Sequence, residues 1–131
     1  MASVFSRIIA GELPARFVHQ DDRCVAFLTV QPLRPGHTLV VPRAEIDHWL
    51  DLPPDLAAHL FQAAQTVGRA LHRAFGSARV GMVIAGLEVP HTHLHLVPLD
   101  HVSDLDFARV DRDPDPADLD QAAERIRAAL G

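Results

Sequence analysis

Apolar residues Val4, Phe5, Ile8 and Ile9 recur at helical spacing and Gly11 follows them, which predicts a short helix over 4–9. Residues 16–19 and 24–30 read as two strands of a hairpin around the polar turn Gln20-Asp21-Asp22-Arg23. The stretch Gln31-Pro32-Leu33-Arg34-Pro35-Gly36 cannot extend a ladder, because two prolines remove donors and Gly36 permits a positive φ, so a loop is expected. A β-branched run over 37–41, ended by Pro42, predicts a third strand. After a helical turn near 46–50, Pro53-Pro54-Asp55 opens the longest helix, with Leu56, Leu60, Ala63, Val67, Leu71 and Phe75 on one stripe and Gly76 as its stop. Residues 79–85 and 90–97 predict two more strands on either side of the loop Gly86-Leu87-Glu88-Val89. The acidic, proline-bearing stretch 100–120 reads as a solvated connector. A last helix starts at Pro116, capped by Asp115, with Leu119, Ala122, Ile126 and Leu130 turned inward.

Hairpin-linked strands with one long helix inserted between them specify an α+β domain, with a mainly antiparallel five-stranded sheet, one long helix and a C-terminal helix. At 131 residues, 48% of them hydrophobic, the chain supports one core, hence a single domain over 1–131. So small a sheet leaves edges that a second copy would cover, and a homodimer is expected. A formal charge of −5 argues against a long-range positive field that gathers nucleic acid. No stretch is apolar for long enough to span a membrane, and Ser6 and Arg7 interrupt the first ten residues too early for a secretory signal. Cys24 is the single cysteine, which excludes an internal disulfide and points to a reducing, cytoplasmic setting.

The chemistry lies in the histidines. Of nine, three alternate in His91-Thr92-His93-Leu94-His95-Leu96-Val97-Pro98, so on a strand all three rings would share one face. Successive rings would stand about 6–7 Å apart and the outer pair roughly 13 Å apart. One zinc ion, with nitrogens about 2.0–2.1 Å from the metal, cannot take the outer two together. Two neighbours sharing a metal would need a third ligand from His37, His48 or a carboxylate. A row of imidazoles suits a phosphorus centre better: the middle ring, His93, attacks, and the flanking groups meet phosphate oxygens or the leaving group. A hydrogen bond from its second nitrogen to a backbone carbonyl, that of His91 being at hand, would lock the required tautomer. Backbone amides of the 86–89 loop would meet the charge that develops on phosphoryl oxygens.

The stretch Val89-Pro90-His91-Thr92-His93-Leu94-His95-Leu96-Val97-Pro98 resembles the signature of the histidine-triad (HIT) family. Pro35-Gly36-His37-Thr38-Leu39-Val40-Val41-Pro42 is similar to that family's proline-glycine-histidine strand, and Phe5-Ser6-Arg7-Ile8-Ile9-Ala10-Gly11-Glu12-Leu13-Pro14 to the amino-terminal segment of its bacterial Hint-like branch. The resemblance implies a HIT-like fold and a homodimer whose sheets join. It also implies hydrolysis or transfer of purine nucleoside monophosphates from phosphoramidates, dinucleoside polyphosphates or acyl adenylates, through a nucleotidyl-histidine intermediate and without a cofactor. His93 then corresponds to the nucleophile, His91 and His95 to its flanking histidines, and His37 to a supporting one. Base and ribose would lie against the strand that holds Phe27 and Val30, with Thr29, Gly86, Glu88 and Val89 completing the substrate contacts.

The match departs from the family in three places. Thr29 stands where the family commonly has an Asp or Asn for the ribose hydroxyls. Leu87 and Glu88 follow Gly86 where polar phosphate contacts are usual, and Glu88 would repel a phosphate if it pointed inward. These two losses keep a second reading open, a purine-nucleotide-binding module with little turnover. Ser3 and Ser6 replace the Cys-x-x-Cys that many bacterial relatives use, with two histidines, for structural zinc; no zinc is expected there, and His48 is left as a surface or packing residue. His19, His59, His72 and His101 read as isolated residues without a role, and Trp49 as packing on the sheet or at a dimer contact.

Overall fold

A computed structural model describes residues 2–131, so Met1 of the expected domain lies outside the described residues. In chain order the elements are α1 (Val4–Ile9), β1 (Phe17–Gln20), β2 (Cys24–Leu28), β3 (Thr38–Pro42), a 3-10 turn (Trp49–Asp51), α2 (Pro54–Phe75), β4 (Arg79–Val83) and β5 (Leu94–Leu99). Two further 3-10 turns (Val102–Leu105 and Phe107–Arg109) lead into α3 (Pro116–Leu130). Local chemistry sets these limits. The Ser3 side chain accepts from the Ser6 amide at the start of α1, Gly76 ends α2 in the left-handed region at φ 63°, and Asp115 caps α3 by accepting from the Ala117 amide. At the β1–β2 turn, Asp21 Oδ1 accepts from the amides of Arg23 and Cys24, both at 2.8 Å.

The strands form one antiparallel five-stranded sheet in the order β1-β2-β3-β5-β4. Every residue of β2 and β3 is buried, because the sheet is covered on both faces. On one face Cys24, Ala26, Leu28, Val40, Leu94 and Leu96 meet α2 and α3 in the main core. On the other, Val25, Phe27, Leu39 and Val41 form a smaller cluster under Phe5, Ile8 and Ile9 of α1. His37 and His95 belong to this second face, since they alternate with Thr38 and Leu96 on their strands.

Several expected boundaries move. The last strand begins at Leu94, not at residue 90: the His91 amide turns back onto the Val89 carbonyl at 2.8 Å and the Thr92 amide bonds the Ile46 carbonyl at 2.7 Å, so no sheet partner remains for 90–93. The loop between β4 and β5 therefore runs from 84 to 93 and carries His91 and His93. β2 stops at Leu28, because Thr29 turns the chain by accepting from the Gln31 amide and Val30 is 66% exposed. The connector after β5 is anchored rather than free: Arg34 pairs with Asp100 at 3.0 Å and with Asp104 at 2.6 Å, and Asp104 caps the amides of Asp100 and His101. Trp49, expected on the sheet or at a dimer contact, is 49% exposed in this chain.

Gly36 delivers the chain into β3 at φ +93°, and a Cβ there would lie 2.6 Å from Cε2 of the Phe75 ring. Gly36→Ala is therefore expected to lower stability in urea denaturation by about 2–3 kcal/mol, of which the left-handed φ accounts for about 1 and the clash for the remainder. In a Phe75→Leu background only the backbone part should persist; an undiminished penalty would show that the ring contact is irrelevant.

Candidate active site

His93 and His95 stand side by side with ring centroids 4.9 Å apart, and His37 lies next to His95 at 5.2 Å. Two backbone groups fix the tautomers of all three rings. The His93 Nδ1 donates to the His91 carbonyl at 2.8 Å, which leaves Nε2 of a neutral ring as a bare lone pair. The Leu33 amide donates to His37 Nδ1 at 3.0 Å, so the proton of neutral His37 sits on Nε2 and is donated to His95 Nδ1 at 2.9 Å. His95 in turn carries its proton on Nε2. Among the described residues no buried side-chain nitrogen or oxygen lacks a hydrogen-bond partner, and the Nε2 atoms of His93 and His95 have none. Both therefore reach solvent, one as an acceptor, the other as a donor.

Burial holds these rings neutral. Desolvation, with smaller contributions from His95 and His93, pushes His37 down to about 3; desolvation and the His93 ring bring His95 down to about 4. His93 is also lowered, chiefly by burial, against an opposing contribution from its bond to the His91 carbonyl. Phe5 supplies part of that environment, with its ring edge-on to His93 at 4.9 Å, and Phe107 does the same for His95 at 5.0 Å. Neither phenylalanine was picked out from the sequence. Phe5 was visible only as a helix residue, and Phe107 is one apolar side chain in a stretch that composition marks as solvated.

The flanking histidines differ in kind. His91 is fully buried and both its nitrogens are occupied: Nδ1 by the Ser3 hydroxyl at 2.7 Å and Nε2 by the Pro42 carbonyl at 2.7 Å. It cannot meet a phosphate oxygen through its ring, as the row of three imidazoles on one strand had implied; its part is to hold the carbonyl that binds His93. For the same reason a metal shared by His91 and His93 has no free imidazole nitrogen on the His91 side. Ser3 accepts from the Ser6 amide, and Ser6 donates to Glu45 Oε1 at 2.7 Å. Where zinc thiolates would stand, two hydroxyls join a carboxylate and an imidazole in a hydrogen-bonded network. This donor set does not fit structural zinc.

Of the remaining expected contacts, Phe27 is 2% exposed and packs edge-on against both Phe5 and Phe17, so it forms the floor of this face. Thr29 is half-buried, its hydroxyl oxygen accepting from the Gln31 amide, and Val30 is exposed beside it. Gly86 takes φ +70° at the start of the loop, Leu87 is 92% exposed, Glu88 is exposed, and Val89 packs against the Phe5 cluster. The Glu88 charge acts on His93 across this gap, in the direction that favours protonation. His48 sits at the surface, where its Nδ1 accepts from the Leu50 amide.

Residues 10–102 match the family described as the HIT domain. The chain is 31% identical over 100 residues to the adenylylsulfatase HINT3 of Arabidopsis thaliana, covering 72% of this chain and 51% of that protein. It is 33% identical over 99 residues to the asymmetrical bis(5'-nucleosyl)-tetraphosphatase of Schizosaccharomyces pombe, covering 72% and 53%. A crystal structure of a zinc-bound histidine triad family protein from Mycobacterium smegmatis superposes with a TM-score of 0.85 at 30% identity, over 99% of this chain and 94% of that one. With the match spanning both the proline-glycine-histidine strand and all three alternating histidines, the chain belongs to the HIT-domain family.

Proposed function

We propose that this protein is a nucleotidyl hydrolase or transferase that acts on purine nucleoside monophosphate derivatives, such as phosphoramidates, dinucleoside polyphosphates or acyl adenylates. The observation that carries the reading is the pairing of two solvent-reaching Nε2 atoms in opposite protonation states, on His93 and His95. In the first step the His93 Nε2 forms a bond to the α-phosphorus while the bond from phosphorus to the leaving group breaks. The His95 Nε2 proton faces the phosphoryl oxygens or the departing group, and the His37 bond keeps it there. Water, or another acceptor, then attacks the same phosphorus and the P–N bond breaks; the attacking group's proton passes to solvent, matching the one the departed group takes up, and the nucleoside monophosphate is released with neutral His93 restored.

The names of two relatives support the class of bond: one is an adenylylsulfatase, the other a bis(5'-nucleosyl)-tetraphosphatase. The base would lie on the apolar floor made by Phe27, near Thr29, Val30 and Val89. A nucleotide-binding module with little turnover remains the second reading, favoured by Thr29 and by the outward Leu87, which leave ribose and phosphate with fewer polar partners than the family provides. For the assembly we propose a homodimer formed along β4. That strand is an edge, whereas the other edge, β1, is covered by α3; Met82 on β4, 38% exposed, lines a groove of about 520 Å³, and Phe61, 54% exposed, stands one turn before Gln65 of the groove on α2.

Assayed with an adenosine phosphoramidate, His93→Ala should lose on the order of 10³-fold or more in turnover, and His95→Ala about 10²-fold or more. Wild-type protein that binds adenosine monophosphate but releases no product above His93→Ala with any of several leaving groups would instead favour the binding module. The rate should hold at neutral pH and fall on acidification only below the ordinary histidine value of 6.5, because the His93 lone pair is lost when the lowered folded-state pKa is crossed; an acid limb above 6.5 would contradict a depressed nucleophile. Sedimentation should find two copies of the 14.4 kDa chain, reduced to one by the double substitution Phe61→Asp and Met82→Asp; a wild-type monomer would end the assembly proposal.

A further inference from the structure

At the far end of the β1–β2 hairpin, four side chains from the hairpin and α2 converge. His19 Nε2 lies 2.8 Å from Asp21 Oδ2, His59 Nε2 reaches the same oxygen from α2 at 2.9 Å, and Cys24 Sγ lies 3.4 Å from it. One ligand atom from each of His19, Asp21 and Cys24 fits within 4.8 Å of the others. The reading of His19 and His59 as isolated residues is thus overturned by the fold, which brings positions 40 residues apart onto one carboxylate.

We propose that His19, Asp21, Cys24 and His59 form a binding site for a thiophilic divalent cation, of which zinc is the natural occupant. Two imidazoles, one carboxylate and one thiol make up a borderline-soft donor set, and four ligands suit tetrahedral zinc. Zinc bonds of about 2.0–2.3 Å place tetrahedral donors about 3.3–3.6 Å apart. The Cys24–Asp21 separation already has that length, and the two histidine contacts with Asp21 need to open by about half an ångström. His59, outside the cluster that His19, Asp21 and Cys24 form within 4.8 Å, would swing in from α2 as the fourth ligand. The charges close as well: Asp21 and a Cys24 thiolate together neutralise a divalent ion.

Without a cation the thiol is protonated, since burial and the Asp21 carboxylate push it up to about 12. Binding therefore releases one proton, from Sγ. The histidines bind as neutral rings, with the proton that each Nε2 now gives to Asp21 moved to Nδ1. Cys24 itself has no exposed surface, but the side chains of His19, Asp21 and His59 are about a quarter exposed, at 25%, 26% and 28%, which gives an ion a way in. The site lies outside the histidine pair described above and asks nothing of its chemistry. Its effect is mechanical: one ion would tie the hairpin turn to α2, in addition to the bond from Arg43 Nε to the Asp21 carbonyl at 2.7 Å.

Cobalt titration of chelator-treated, reduced protein tests this. One equivalent should produce visible bands of tetrahedral intensity together with a near-ultraviolet sulfur-to-cobalt band, displaced by zinc. The spectrum should be unchanged in a variant carrying His93→Ala and His95→Ala, and Cys24→Ser should abolish the sulfur band. Because Cys24 is fully buried, His59→Gln on the partly exposed face of α2 provides a second reading: it should weaken the affinity at least tenfold and remove the rise in melting temperature that zinc produces in the wild type. Absence of uptake, a spectrum that survives His59→Gln with full affinity, or one that disappears with the histidine pair instead, would overturn the proposal.

Discussion

A backbone carbonyl and a backbone amide decide what the histidines of this protein can do. The carbonyl of His91 takes the proton of His93 Nδ1, and the amide of Leu33 takes the lone pair of His37 Nδ1. Neutral imidazole has one donor and one acceptor, so each of these bonds sets the opposite end of its ring. Passed through the His37–His95 bond, the result is a bare lone pair and a proton donor side by side. No side chain needs to ionise to set this order, and the desolvation that lowers all three pKa values preserves it at neutral pH.

The fold serves those two backbone groups. The Leu33 amide reaches His37 because the loop between β2 and β3 folds over its own strand, a path that Gly36 allows by its positive φ and Phe75 confines by close contact. The His91 carbonyl is held because the ring of His91 is anchored at both nitrogens, to Ser3 and to Pro42, and the Thr92 amide and hydroxyl are both bound to the Ile46 carbonyl. A residue that would look catalytic by its place in the triad thus acts as a scaffold. Phe5 and Phe107, brought in by α1 and by the pinned connector, close the edges of the pair and keep water from levelling its pKa values.

Much of the scaffold was legible in the sequence where periodicity and punctuation agree. The helix over 4–9, the stripe from Leu56 to Leu71, the Gly76 stop and the Asp115 cap stand as read, because each depends on neighbours within a few residues. The His91 carbonyl was also foreseen as the partner of His93, since the two are only two residues apart. What the sequence did not show depends on contacts across the fold. Alternation suggested a strand from residue 90, but the Thr92 amide found Ile46, and the three rings ceased to be equivalent. The bond of Ser3 to His91 and the edge-on contact of Phe107 with His95 leave no local trace. The same holds for His59, an unremarkable helix residue until α2 crosses the hairpin turn.

The order of protons along the histidines is measured directly by long-range proton–nitrogen NMR correlations of the imidazoles at pH 7. The account predicts His93 protonated at Nδ1 with a bare Nε2, and His37 and His95 both protonated at Nε2. A His93 proton on Nε2, or an imidazolium at either His93 or His95, would contradict it.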